Sequence, residues 1–201
     1  MPVLLVATTN RGKVAEYISL LSGLDLELVT LDQAGISQKA EEIYSTYAEN
    51  AHAKARFYSG LSGLLTLADD SGLEVDVLGG APGVKSSRYA GNNASDADRI
   101  TFLLNKLKGV PPEKRQAKFK CVIAIASPGG CIEAISGECE GIIALEPRGE
   151  NGFGYDPIFY LPQYGKTIAE LPAELKNEIS HRGCAARKAR EVLARMLSER
   201  C

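Results

Sequence analysis

The chain has 201 residues, 45% hydrophobic and 24% charged, with 23 basic against 25 acidic side chains and a net charge of −2. That length fits a single domain over residues 1–201 with a sizeable core, and the charge balance excludes a basic tail or patch for nucleic acid. No run approaches the ~18 apolar residues a membrane helix needs, so neither nucleic acid nor a membrane is expected as a partner.

The N-terminal MPVLLVATTNRGK has no basic segment ahead of its apolar run and reads as a first strand, not a signal peptide. The cysteines (Cys121, Cys131, Cys139, Cys184, Cys201) are odd in number and lack C-x-x-C spacing. This argues against a disulfide framework or a zinc site and for a reducing cytoplasm.

In chain order, Val3–Ala7 is a short buried strand. A helix follows from Arg11, with Val14, Ile18 and Leu21 as its apolar stripe and Gly23 as its stop. Leu26–Val29 is a second strand. Thr46-Tyr47-Ala48-Glu49 predicts a capping box opening a helix to about Gly60. Residues 64–68 form a buried strand, Asp69-Asp70-Ser71-Gly72 a sharp turn, and Leu73–Leu78 an alternating strand. Ser95 caps a helix with Ile100, Leu103, Leu104 and Leu107 on one face, stopped by Pro111-Pro112. Phe119–Ala126 and Ile132–Ile135, joined by Ser127-Pro128-Gly129-Gly130, predict a hairpin. A last helix, about Ala185 to Ser198, buries Ala189, Val192, Leu193 and Met196. Crossover helices together with a hairpin imply an α/β domain with a mixed sheet.

Five stretches hold chemistry. Thr8-Thr9-Asn10-Arg11-Gly12-Lys13 joins a buried strand to a helix N-terminus, where free amides and the helix dipole favour an anion. It departs from a Walker loop, lacking the leading glycine and carrying Val14 after the lysine. A structural reading of the same residues makes Thr9 or Asn10 an N-cap and leaves Lys13 in solvent. Asn50 and Lys54 share a helix face at i, i+4, with Glu41 and Glu42 upstream; these residues alone favour Lys54 as an exposed partner of a nearby acid. Asp69 and Asp70 end an apolar run and, by strand alternation, point to opposite faces. One suits the turn amides and the other projects from the strand's carboxyl end, where α/β sheets bind ligands. With Glu42 it offers oxygen ligands for Mg²⁺, although a solvated turn also accommodates the pair. Gly149–Pro157 interleaves glycines with Phe153 and Tyr155, which lets a backbone approach a flat ligand and a ring stack on it, or packs two aromatics behind a tight turn. Ser180-His181-Arg182-Gly183 offers donors for a base or phosphate, or a helix cap.

Taken in order, TTNRGK, AEE with STYAENAHAKAR, ADDSGLEVDVLGGAPGVKSSRYAG, FGYDPIF and ISHRG resemble the inosine/xanthosine triphosphate pyrophosphatase family from Val3 to the last helix. The resemblance implies a long mixed β-sheet flanked by helices, in two lobes around a substrate cleft. It implies a cytoplasmic, homodimeric, Mg²⁺-dependent enzyme that hydrolyses ITP, dITP and XTP to the monophosphate and pyrophosphate. By the same resemblance Thr8, Thr9, Asn10, Arg11, Gly12 and Lys13 hold the triphosphate, with Lys54 as a second cation. Asp70 is the catalytic residue and a metal ligand, Glu42 assists with metal, and Ser71 contacts substrate. Phe153, Gly154, Tyr155 and Asp156 line the base pocket, completed by Lys176, His181 and Arg182. Two other classes stay open. A Maf-like pyrophosphatase shares the reaction but not the FGYDP and SHRG pair, and a non-catalytic nucleotide binder needs neither both carboxylates nor both lysines.

Overall fold

A computed structural model describes residues 1–130 and 132–198. Cys131 and Cys201, two of the five thiols in the cysteine argument, lie outside the described residues.

Strands β1 (Val3–Val6), β2 (Glu27–Thr30), β3 (Leu65–Val75), β4 (Gln116–Ala126), β5 (Ile132–Ile143), β6 (Phe159–Leu161) and β7 (Lys166–Thr167) form one sheet in the order β2-β1-β3-β4-β5-β6-β7. Strand β1 runs parallel to β2 and β3, whereas β6 is antiparallel to β5 and β7. The sheet is therefore mixed, as expected. Among the described residues five α-helices accompany it: α1 (Arg11–Leu20), α2 (Tyr47–Ser62), α3 (Asp96–Lys106), α4 (Ala173–Ile179) and α5 (His181–Ser198). None is long and apolar enough to cross a membrane.

The chain divides into two compact units. The first comprises Met1–Asp70, Cys121–Gly137 and the chain from Arg182 onward; the second comprises Ser71–Lys120 and Glu138–His181. In the first, strand alternation sorts side chains to two cores. Leu4, Val6, Leu65, Leu67, Cys121 and Ile123 pack with Tyr17 and Leu21 of α1 and Ala185, Ala189 and Leu193 of α5. Leu5, Ala7, Ala68, Ala124 and Ala126 pack with Ala51, Ala55 and Tyr58 of α2. Consecutive residues thus serve opposite faces. In the second unit Ile100, Leu103 and Leu107 gather with Leu73, Val75, Phe119, Ile158 and Phe159.

Several boundaries depart from the sequence reading. Helix α1 buries Tyr17 and Leu21, while Ile18 is 51% exposed. The ring of Tyr17 outcompetes the smaller aliphatics for the core, and its hydroxyl lies 3.9 Å from Cys121 Sγ. Thr46 caps α2 by accepting from Glu49 N, but its hydroxyl donates to the Glu49 carboxylate, so the predicted reciprocal capping box is absent there. Helix α3 ends at Lys106, in a turn through Leu107 to Gly109 (φ +82°), before the prolines that were expected to stop it. Helix α5 starts at His181, so His181, Arg182 and Gly183 lie in its first turn rather than ahead of it, and Ser180 is the C-cap of α4.

The largest correction concerns Ser71-Gly72. No turn occurs there; β3 runs unbroken from Leu65 to Val75, with both aspartates mid-strand. The strand need not leave the sheet to solvate them, because neighbouring helices supply partners for both. The chain turns later, at Asp76–Leu78, with Gly79 (φ +63°) and Gly80 (φ +84°).

Candidate active site

Strand β1 ends at the first loop, whose conformation is set locally. Asn10 is the N-cap of α1, its Oδ1 accepting from Lys13 N at 3.0 Å, and its own N–H donates to Thr8 Oγ1. The structural expectation for Asn10 therefore holds. The structural expectation for Lys13 does not. Its side chain is 14% exposed, and its ammonium donates to Asp69 Oδ2 at 2.8 Å. Thr8, Thr9 and Arg11 line an open pocket of about 250 Å³ with Val14 and Ile18 of α1 and Asp32.

The two aspartates separate as alternation requires. Asp69 enters the layer held by α1 and α5. Besides Lys13, its Oδ2 lies 3.6 Å from Arg182 Nε and 3.7 Å from Cys121 Sγ, while Oδ1 is buried with no hydrogen-bond partner among the described residues. Burial would raise its pKa, but the charges of Lys13, Arg182 and Lys54 outweigh it and hold the carboxyl well below the usual range. Arg182 is itself 2% exposed and also bonds Glu16 Oε2 at 2.5 Å. Burial works against its charge, and Asp69 and Glu16 more than restore it. Burial pushes the Cys121 thiol up to about 12, so it stays protonated.

Asp70 faces α2. Its Oδ2 accepts from Asn50 Nδ2 at 3.0 Å, and Oδ1 lies 3.9 Å from Lys54 Nζ. Lys54 Nζ in turn donates to Glu42 Oε1 at 2.6 Å. Burial raises the Asp70 pKa; Lys54 and Lys13 pull it back, Glu42 adds to the rise, and the net direction is upward. Burial alone would depress Lys54, but Asp69, Glu42 and Asp70 hold it above its ordinary value. The lysine is fully charged and sits between two acids.

Among the described residues no three His, Cys, Asp or Glu side chains form a self-sufficient metal cage. Asp70 and Glu42 nevertheless both reach one ammonium, Glu42 Oε1 at 2.6 Å and Asp70 Oδ1 at 3.9 Å from Lys54 Nζ. Two hard carboxylates converging on one point fit Mg²⁺, which takes one or two such ligands and completes its shell with water and phosphate.

In the second unit Asp156 orders its own loop. Its Oδ2 accepts from Phe153 N at 2.9 Å and from Lys176 Nζ at 2.5 Å, and that ammonium lies 4.8 Å from the centroid of the Phe153 ring. Tyr155 donates to Ser86 O at 2.9 Å, and burial pushes its pKa up. His181 stacks on Phe119 at 4.7 Å. Thus Phe153, Gly154, Tyr155, Asp156, Lys176 and His181 belong to one unit, and Arg182, grouped with them from the sequence, belongs to the other with Asp69. Gly152 has φ +78°, and a Cβ there would meet Asp156 Oδ2 at 2.1 Å. Gly152→Ala should therefore cost about 1–3 kcal/mol for the left-handed backbone, and more for displacing Asp156. Thermal unfolding checks this; a Tm within a degree of wild type would contradict it.

Sequence reasoning missed Glu16 and undervalued Asn50. Asn50 had a signal, its i, i+4 spacing from Lys54; Glu16 had none, because its partner Arg182 lies 166 residues away.

The fold and this geometry define an α/β protein with a capped strand-to-helix loop, a buried and a part-buried lysine, and two carboxylates on opposite faces of one strand. The Ham1 family model matches residues 4–192, and the chain belongs to that family. It is 50% identical over 193 residues to the dITP/XTP pyrophosphatase of Desulforamulus reducens, covering 96% of each chain. It is 49% identical to that of Geobacter sulfurreducens, covering 92% of this chain and 93% of that one. Among solved structures it resembles a HAM1 protein from Coxiella burnetii, with a TM-score of 0.88 at 45% identity over 97% of this chain and 100% of that one. The Staphylococcus aureus Ham1 protein matches with a TM-score of 0.85 at 39% identity over 96% and 98%.

Proposed function

We propose that the chain, as a single catalytic domain, hydrolyses deaminated purine nucleoside triphosphates (ITP, dITP and XTP) to the monophosphate and pyrophosphate. We further propose that it is Mg²⁺-dependent, homodimeric and cytoplasmic. The observation that carries the reading is the buried Asp70, flanked by Asn50, Lys54 and Glu42, in the same unit as the Lys13 loop. Relatives near half-identical over almost the whole chain, named dITP/XTP pyrophosphatases, support the choice of substrate.

Water must attack the α-phosphorus while pyrophosphate leaves. Asp70 is the proton acceptor, its carboxylate held by Asn50 beside Lys54. Lys13 and Lys54 offset the growing charge on the polyphosphate; both are fixed by acids before substrate arrives, so little reorganisation is needed. The Thr8–Lys13 loop and Ser71 contact the phosphates. A Mg²⁺ ion held by Asp70 and Glu42 would supply Lewis-acid neutralisation of the phosphate oxygens. Phe153, Gly154, Tyr155, Asp156, Lys176 and His181 form the base contacts, and donors there match the keto oxygen at position 6 of hypoxanthine and xanthine.

The product analysis tests this directly: ITP should yield IMP and pyrophosphate in equal amounts, and chelation should stop the reaction. Release of IDP and phosphate would refute it. Lys13→Ala and Lys54→Ala should each lower kcat/KM for ITP by roughly 10²-fold, the usual loss for one preorganised charge-stabilising donor. Binding of inosine, which has no phosphates, should hardly change when titrated by calorimetry. Equal losses for inosine and ITP would make the lysines structural.

A further inference from the structure

Helix α3 carries no residue of any motif discussed so far, yet it holds the Phe153–Asp156 loop. Asp96, its first residue, accepts a hydrogen bond from Gly154 N at 2.7 Å, across 58 residues of sequence. The other oxygen of Asp96 pairs with Arg99, whose Nη1 donates to Ser87 O at 2.9 Å and Ala94 O at 2.6 Å. The carboxylate is thereby fixed from one side by a guanidinium and presents its free oxygen to the loop. Gly154 sits at φ +64°, a left-handed backbone conformation that glycine adopts without steric cost. Beside it, Tyr155 is tied to Ser86 O. Asp156 braces the loop from within, through Phe153 N and Lys176, while Asp96 and Ser86 brace it from without.

We infer that Asp96 is a positioning residue for base recognition: it touches no substrate, and it sets the backbone of the loop that does. This rests on reading Phe153–Asp156 as base-contacting. A hydrogen bond to a charged acceptor at partial exposure corresponds to roughly a three- to tenfold change in an equilibrium constant. Asp96→Ala should therefore raise KM for ITP by roughly that factor and narrow the ITP/ATP ratio of kcat/KM, with kcat almost unchanged. Asp96→Asn keeps an acceptor oxygen for Gly154 and should restore most of the KM. Ser95→Ala, which removes the α3 cap without touching the loop, should lower Tm and leave KM alone. Should Asp96→Ala not fold, Asp96→Ser, which suits a helix start but is too short to reach Gly154, takes its place with the same readings. Wild-type KM in the truncated variant, or an equal rise in Asp96→Asn and Ser95→Ala, overturns the inference. If the wild-type protein itself releases no pyrophosphate from ITP, the proposed function falls and takes this inference with it.

Discussion

Asp70→Asn should lower kcat for ITP by about 10³-fold or more and leave the fold intact. The asparagine keeps the shape and can still accept from Asn50, but it has neither the basicity to take a proton from water nor the charge to bind a metal ion; general-base removal alone accounts for roughly 10²–10⁴-fold. The pKa shift fixes the sign of the stability effect. Folding raises the Asp70 pKa, so the protonated form is favoured in the native state, and stability is lost as pH rises through the folded value. At neutral pH the ionised group is therefore a net cost, and the asparagine variant should be as stable as wild type or more so. Turnover within a few-fold of wild type would remove Asp70 from the chemistry, and a large fall in Tm would make it structural.

Asp69→Asn should do the reverse to stability. This carboxylate is fully buried, compensates Lys13 and Arg182, and has its pKa held low. Its contribution is present above the ordinary carboxylate pKa and fades only as pH falls through the much lower folded value, so at pH 7 it is complete. Removing one partner of a buried ion pair costs about 3–5 kcal/mol because the other charge is left behind. Glu16 still pairs with Arg182, which places the expected loss near the lower end, roughly 6–12 °C in Tm for a chain of this size. Catalysis should suffer less than in Asp70→Asn, through a misplaced Lys13. Differential scanning calorimetry at pH 7 decides; an unchanged Tm would mean the network contributes no stability.

The adjacent pair illustrates what could and could not be read from the sequence. Alternation along a strand was enough to send Asp69 and Asp70 to opposite faces, because the period of two is a local property. The continuation of β3 through Ser71-Gly72 was not legible, because a strand interior tolerates two acids only when partners arrive from elsewhere, here Lys13, Asn50, Lys54 and Arg182. The α1 stripe holds at Leu21 but fails at Ile18 for a related reason: counting only aliphatic residues passed over Tyr17, whose ring and hydroxyl are both accommodated in the core. The helix alone makes Lys54 an exposed partner of a nearby acid; it does pair with Glu42, but it is buried, with Asp70 of β3 brought beside it from elsewhere in the chain. The division of His181 from Arg182 and the bond from Asp96 to Gly154 depend on long-range folding that no local pattern encodes.

The central claim is that the chain acts on deaminated purine triphosphates by releasing pyrophosphate. The direct measurement is kcat/KM for pyrophosphate release from ITP, XTP, GTP and ATP with Mg²⁺ present. Adenine sets its 6-amino donor against the pocket's donors, and such a mismatch can be worth roughly 10⁴-fold. Guanine keeps the keto oxygen, so its rejection must come from burying the 2-amino group without an acceptor, a smaller but substantial cost. The expected order is ITP and XTP far above GTP and ATP. Comparable values for ITP and ATP, or release of orthophosphate instead of pyrophosphate, would contradict the account.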